Sequence, residues 1–122
     1  MNEQNYGSRE ACQRLVEAGI VLETDASRYE STLPEPAKWM LKNSGWKDGS
    51  KVPASSMAEA WRELPEKKTI QGMLCSLMIY KRLGCTCASY WWHEEEVVSF
   101  FNTTPTDALI DLLIWVKKET KP

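Results

Sequence analysis

The run Asn102–Lys118, NTTPTDALIDLLIWVKK, constrains the rest of the chain more than any other stretch. Thr104 is a candidate N-cap, Pro105 suits a first helical turn, where its missing N–H has no intrahelical acceptor, and Asp107 stands where a capping-box acid reaches back to the cap. Leu109, Leu112, Leu113 and Val116 then fall at i, i+3, i+4 and i+7, and Ile110, Ile114 and Trp115 widen the apolar stripe past one narrow face. A helix of that breadth has to be covered on most sides. The sheet expected between Met73 and Phe101 would cover one side, and the helix containing Trp61 or a second subunit another.

The preceding chain reads as elements that could do this. Residues 1–7 are polar and expected to fray. Ser8 can cap a first helix with Cys12, Leu15 and Val16 facing inward, and Gly19 offers the left-handed stop. Ile20, Val21 and Leu22 lead through Glu23 and Thr24 as a short strand, followed by a loop from Asp25 to Pro36 in which Tyr29 could prolong the pairing. Ala37 to Lys42 alternates with period two, a second strand, and Asn43 to Pro53 reads as a long surface loop around Trp46.

Ser56 and Glu59 form a capping box for a helix whose inward stripe is Met57, Ala60, Trp61 and Leu64, with Pro65 ending it. A polar joint, Glu66 to Lys68, precedes strands at Met73–Lys81, Cys85–Trp92 and Glu96–Phe101, with bends at Leu83-Gly84 and His93-Glu94-Glu95. The order is αββαβββα. Connections this short exclude parallel crossovers, so the expected fold is α+β, an antiparallel sheet of about four to five strands covered by helices in two layers. No linker or repeat divides residues 1–122, which read as a single domain.

Composition narrows the function classes. With 122 residues, 43% of them apolar, a core can form without metal or disulfide support. The formal charge of −2, from interspersed acids and bases, lacks the basic footprint of a nucleic-acid or anionic-membrane binder. No signal-peptide pattern and no membrane-length apolar run is present, so a cytoplasmic protein is expected. In that setting Cys12, Cys75, Cys85 and Cys87 are expected as free thiols behaving as small hydrophobes. Six tryptophans are difficult to bury completely in so small a core, so some should lie at the surface.

Each chemical constellation has a plainer alternative. Cys85, Cys87, Cys75 and His93 offer zinc-like donors, but Cys85-Thr86-Cys87 has one intervening residue where structural zinc pairs have two or more; packed thiols are the expected state. His93 could serve a cysteine as base, yet a lone histidine before three glutamates at a turn reads as solvated. Glu94, Glu95 and Glu96 could hold a divalent cation with Asp107 or Asp111 for hydrolysis, or merely solvate a hairpin tip. No phosphate-loop motif occurs, so no cofactor is expected. Tyr80, Tyr90, Trp91 and Trp92 could stack bases, though a basic groove is missing.

A protein interface makes the most economical use of the surplus aromatics, with Trp46, Tyr90, Trp91 and Trp92 as candidate contact residues. Trp46 could equally fold over the sheet edge and close the core, and regular alternation would send Trp91 and Trp92 to opposite faces.

The segments EACQRLVEAGIVLET (10–24), VPASSMAEAWRELP (52–65) and NTTPTDALIDLLIWVKKE (102–119) resemble recurring blocks of uncharacterised small proteins encoded by phages, prophages and mobile elements of gut bacteria. That resemblance implies an origin and transfers no catalytic residue. It favours a non-enzymatic accessory protein that binds and modulates a host or phage protein, with a homodimer as a variant. The alternatives are a small nucleic-acid-associated regulator with an antitoxin-like sheet and, third, a metal-dependent hydrolase.

Overall fold

The computed structural model describes residues 5–20, 24, 26–30, 39–43 and 51–119, with backbone alone for 28–30, 39–43 and 51–53. Helix α1 (Arg9–Glu17) begins as expected: Ser8 is extended and its Oγ accepts from Ala11 N at 3.1 Å. It ends in a Schellman arrangement, with Gly19 at φ +74°, Gly19 N donating to Val16 O and Ile20 N to Leu15 O. Ala11, Cys12 and Leu15 face inward. Val16, expected beside them, is half-exposed, because the buried arc centres on the i, i+4 pair Ala11 and Leu15.

Strands β1 (Ala26–Glu30), β2 (Trp39–Asn43) and β3 (Lys51–Ala54) form an antiparallel sheet ordered β2-β1-β3. The central strand β1 lies inside the span expected as loop, and β3 lies at the end of the other one. The strand expected at 20–24 is not seen at Ile20 or Thr24, and 21–23 lie outside the described residues. Helix α2 (Met57–Glu63) carries the expected capping box: Ser56 Oγ accepts from Glu59 N at 3.1 Å and Glu59 Oε1 accepts from Ser56 N at 2.8 Å. Its buried face is narrower than expected, since Ala60 and Leu64 are buried while Met57 and Trp61 are exposed.

The polar joint at Lys67 and Lys68 is itself a strand. β4 (Lys67–Ile70), β5 (Met73–Arg82), β6 (Cys85–Trp92) and β7 (Glu95–Asn102) make a four-stranded antiparallel meander in sequence order. Its first two turns, Gln71-Gly72 and Leu83-Gly84, have positive φ at both positions, the backbone of type I′ hairpins whose twist matches the strands. The α+β architecture is thus the expected one, helices on an antiparallel sheet, with β3 and β4 added to the expected order.

Helix α3 (Pro105–Glu119) lies on β6 and β7 and is flanked by α1 and α2; α1 also touches β3. Leu109, Ile110, Leu112 and Leu113 are at most 1% exposed, so the breadth of the apolar stripe does translate into cover on several sides. The start of α3 differs from expectation. Thr104 Oγ1 is buried with no hydrogen-bond partner among the described residues, and Asp107 reaches another element, its Oδ1 accepting from Ser8 N at 2.7 Å. The N-terminal segment is pinned at the same junction. Gly7 is buried, its N–H donates to Ser55 O at 2.8 Å, and a Cβ there would run into Ile110 and Cys12. Tyr6 bridges to Ser56, so the end of the segment expected to fray is ordered; 1–4 lie outside the described residues.

Candidate protein-binding face

Register divides the meander into two faces. Ile79, Ala88 and Phe100 stand abreast across β5, β6 and β7, as do Leu77, Tyr90 and Val98, and these rows pack into the core beneath α3. The opposite face carries the rows Met78, Ser89, Ser99 and Tyr80, Cys87, Phe101. On this open face and at its hairpin tip four large apolar side chains meet solvent: Leu74 is 62% exposed, Met78 46%, Phe101 71% and Leu83 95%. Single exposed hydrophobics are ordinary, whereas these four, spread along one face and its hairpin tip, make it the candidate contact surface.

Leu83 adds a second signal. It has φ +51°, a left-handed conformation that disfavours a branched side chain and favours asparagine or glycine. Neither burial nor turn chemistry asks for a leucine there.

The middle of the face is low because Ser89 and Ser99 are small, and the larger side chains organise around that floor. Trp91 Nε1 donates to Ser89 Oγ at 2.9 Å, and Trp91 meets Tyr80 edge to face with centroids 6.2 Å apart. Tyr80 crosses over β6, and its hydroxyl donates to Glu96 Oε2 on β7. A β-bulge makes that possible. Tyr90 pairs with Val98 but Trp91 pairs with Glu96, so the ladder passes over Val97; without the extra residue Glu96 would fall opposite Trp92 and point to the helix side. The bond to the Glu96 carboxylate, followed by burial, raises the Tyr80 phenol to about 12, so it stays a neutral donor.

A recess of about 380 Å³ opens beside this pair. Cys87 and Ser99 floor it, Tyr80 with Glu96 and Phe101 wall it, and Arg82 and Leu83 stand at its far end. A second, shallower groove of about 800 Å³ lies between α1, α3 and β7 and carries both signs of charge, including the Arg14–Asp111 ion pair at 2.6 Å.

The residues expected to bind a partner separate. Tyr90 is fully buried under α3, its hydroxyl donating to Pro65 O at 2.6 Å, and burial raises it to about 12; its ring is core and offers no contact. Trp91 is half-buried on the open face, and Trp92 is exposed, edge-on to His93 at 4.6 Å. Trp46 lies outside the described residues. Periodicity left Leu74, Met78, Leu83, Phe101 and the Tyr80–Glu96 pair unmarked. A signal for the β5 members was present, since MLCSLMIYKR is apolar at both parities through Tyr80 and so has no wet face.

The metal-donor set is not brought together. Cys87 lies on the open face, buried Cys75 on the helix side, and all four cysteines are free thiols. The acids disperse likewise: Glu96 holds Tyr80, Asp107 holds Ser8 and Asp111 holds Arg14. Among the described residues no three His, Cys, Asp or Glu side chains are grouped to hold an ion, and no helix is long and apolar enough to cross a membrane. No family model, curated protein or solved structure matches the chain.

Proposed function

We propose that this chain is a non-enzymatic accessory protein of a phage or mobile element, working in the bacterial cytoplasm by placing the open face of the β4–β7 sheet against another protein. The observation that carries this reading is the set of Leu74, Met78, Leu83 and Phe101 in solvent on and beside a sheet whose other face packs against the core. Burying large side chains of that kind yields about 1.5–3 kcal/mol each, so the four together can supply a specific association. Glu96 and Arg82 at the borders of the patch supply orientation, as rim charges do at other interfaces.

Affinity capture from host lysate tests the reading. Phe101→Arg and Met78→Arg alter exposed side chains and are expected to leave the thermal midpoint within about 2 °C while abolishing capture of whatever the parent chain retains. If both variants retain the same proteins as the parent, the open face is not the binding surface.

A further inference from the structure

We infer that the recess on the open face is a site for a soft monovalent cation of the copper(I) class, held between the thiolates of Cys85 and Cys87; this goes beyond the partner-binding reading and does not rest on it. The four cysteines, all free thiols, divide by environment. Cys12 and Cys75 are fully buried in the core, and their thiols donate to the backbone carbonyls of Gly7 and Met73. Cys85 and Cys87 instead both line the recess of about 380 Å³ on the face turned away from the helices.

Spacing selects the ligand. Cys85 and Cys87 are successive same-face residues of β6, where the ladder is regular: Arg82 stands opposite Cys85 and Tyr80 opposite Cys87. Two residues of strand set their Cα atoms about 6.6 Å apart, at the far limit for a disulfide, and their side chains leave the sheet side by side. With metal–sulfur bonds of about 2.3 Å, an ion held in a line between two thiolates needs sulfurs about 4.5 Å apart, within reach when the two side chains lean toward each other along the strand. The separation that opposes a disulfide therefore suits a bridging ion. Structural zinc takes four donors, and among the described residues no group of three His, Cys, Asp or Glu side chains forms. Two thiolates alone match a soft ion that is content with two ligands.

The surroundings fit the complex that would form. Binding copper(I) releases two protons to solvent and leaves a singly negative bis-thiolate complex. Arg82, the cross-strand neighbour of Cys85 and part of the same recess, supplies the opposite charge. Leu83 and Phe101 add apolar wall, which disfavours hard cations that need oxygen ligands and retained water.

Anaerobic titration of the full chain with copper(I), in competition with the coloured chelator bicinchoninate, is expected to show one tightly held ion per chain and an ultraviolet thiolate-to-copper charge-transfer band. Cys85→Ser and Cys87→Ser should each weaken binding about a hundredfold or more, since losing even an outer-shell partner costs up to that. Cys75→Ala should bind like the parent. X-ray absorption at the copper edge should count two sulfur neighbours. Circular dichroism checks that each variant is folded, and because Cys85 is only partly buried, Cys85→Ser decides the matter even if a variant at Cys87 or Cys75 is unstable. No uptake against the chelator, uptake unchanged in Cys85→Ser, or three or four sulfur neighbours at copper would each overturn the proposal. The readout involves no partner protein, so its failure leaves the contact-surface reading standing.

Discussion

Tyr90 and Tyr80 sit on opposite faces of one sheet, and both phenols are raised to about 12 for different reasons, burial for Tyr90 and the Glu96 carboxylate for Tyr80. A group whose folded pKa lies above its unfolded value of 10.0 contributes stability that is fully present below pH 10 and is lost as pH rises through 12. The expected outcome of an ultraviolet difference titration is that these two tyrosines ionise only as the protein opens in that window. Tyr90→Phe removes the proton and the hydrogen bond to Pro65 O; the Tyr90 share of this alkaline loss should disappear, at a cost of about 1–2 kcal/mol in denaturant unfolding at neutral pH. A parent protein whose tyrosines all ionise near pH 10 while still folded would contradict the burial argument. At this scale the aromatic surplus was legible from composition. Which ring faces water was not, because Tyr90 and Trp92 share a parity and differ only in lying under α3 or beyond it.

The hairpin of β5 and β6 shows how far an element can be read from its residues. Both strands and the Leu83-Gly84 bend stand close to where alternation and the glycine put them, as does the meander's third long strand, β7. β1, with the sequence ASRYE, and β4, with KKTI, escaped because their side chains are largely polar; what makes them strands is backbone pairing to neighbours distant in sequence or across a tight turn. Glu96 escaped for a related reason: its face depends on the bulge at Val97, a register property that no single strand displays. The same hairpin offers a separable test of stability and association. Leu83→Asn puts a residue suited to φ +51° at an almost fully exposed position and is expected to raise unfolding free energy by about 1 kcal/mol. If Leu83 serves contact, that more stable variant should retain less of the protein that the parent chain captures from lysate. A loss of stability instead would mean that the leucine packs in its own chain.

Across the whole molecule, a part-buried hydrogen bond joins the Arg14–Asp111 ion pair in tying the first helix to the last. Asp107 Oδ1 accepts from Ser8 N at 2.7 Å across 99 residues of sequence, while Gly7 sits against Ile110 with no room for a side chain. A hydrogen bond to a charged group is worth about 1.5–3 kcal/mol, so Asp107→Ala should lower the thermal midpoint by roughly 8 °C, read by circular dichroism, whereas the exposed-face variants should barely move it. The contrast separates the side that holds the fold from the open face proposed for contact. For the growing polypeptide the Ser8–Asp107 bond also sets an order of events. α1 is made 99 residues ahead of the acceptor that anchors its start, so the side of the helix that meets α3 waits uncovered until α3 arrives. Closing so long a loop is slow, and in that interval a nascent chain is most open to aggregation, chaperones and proteases.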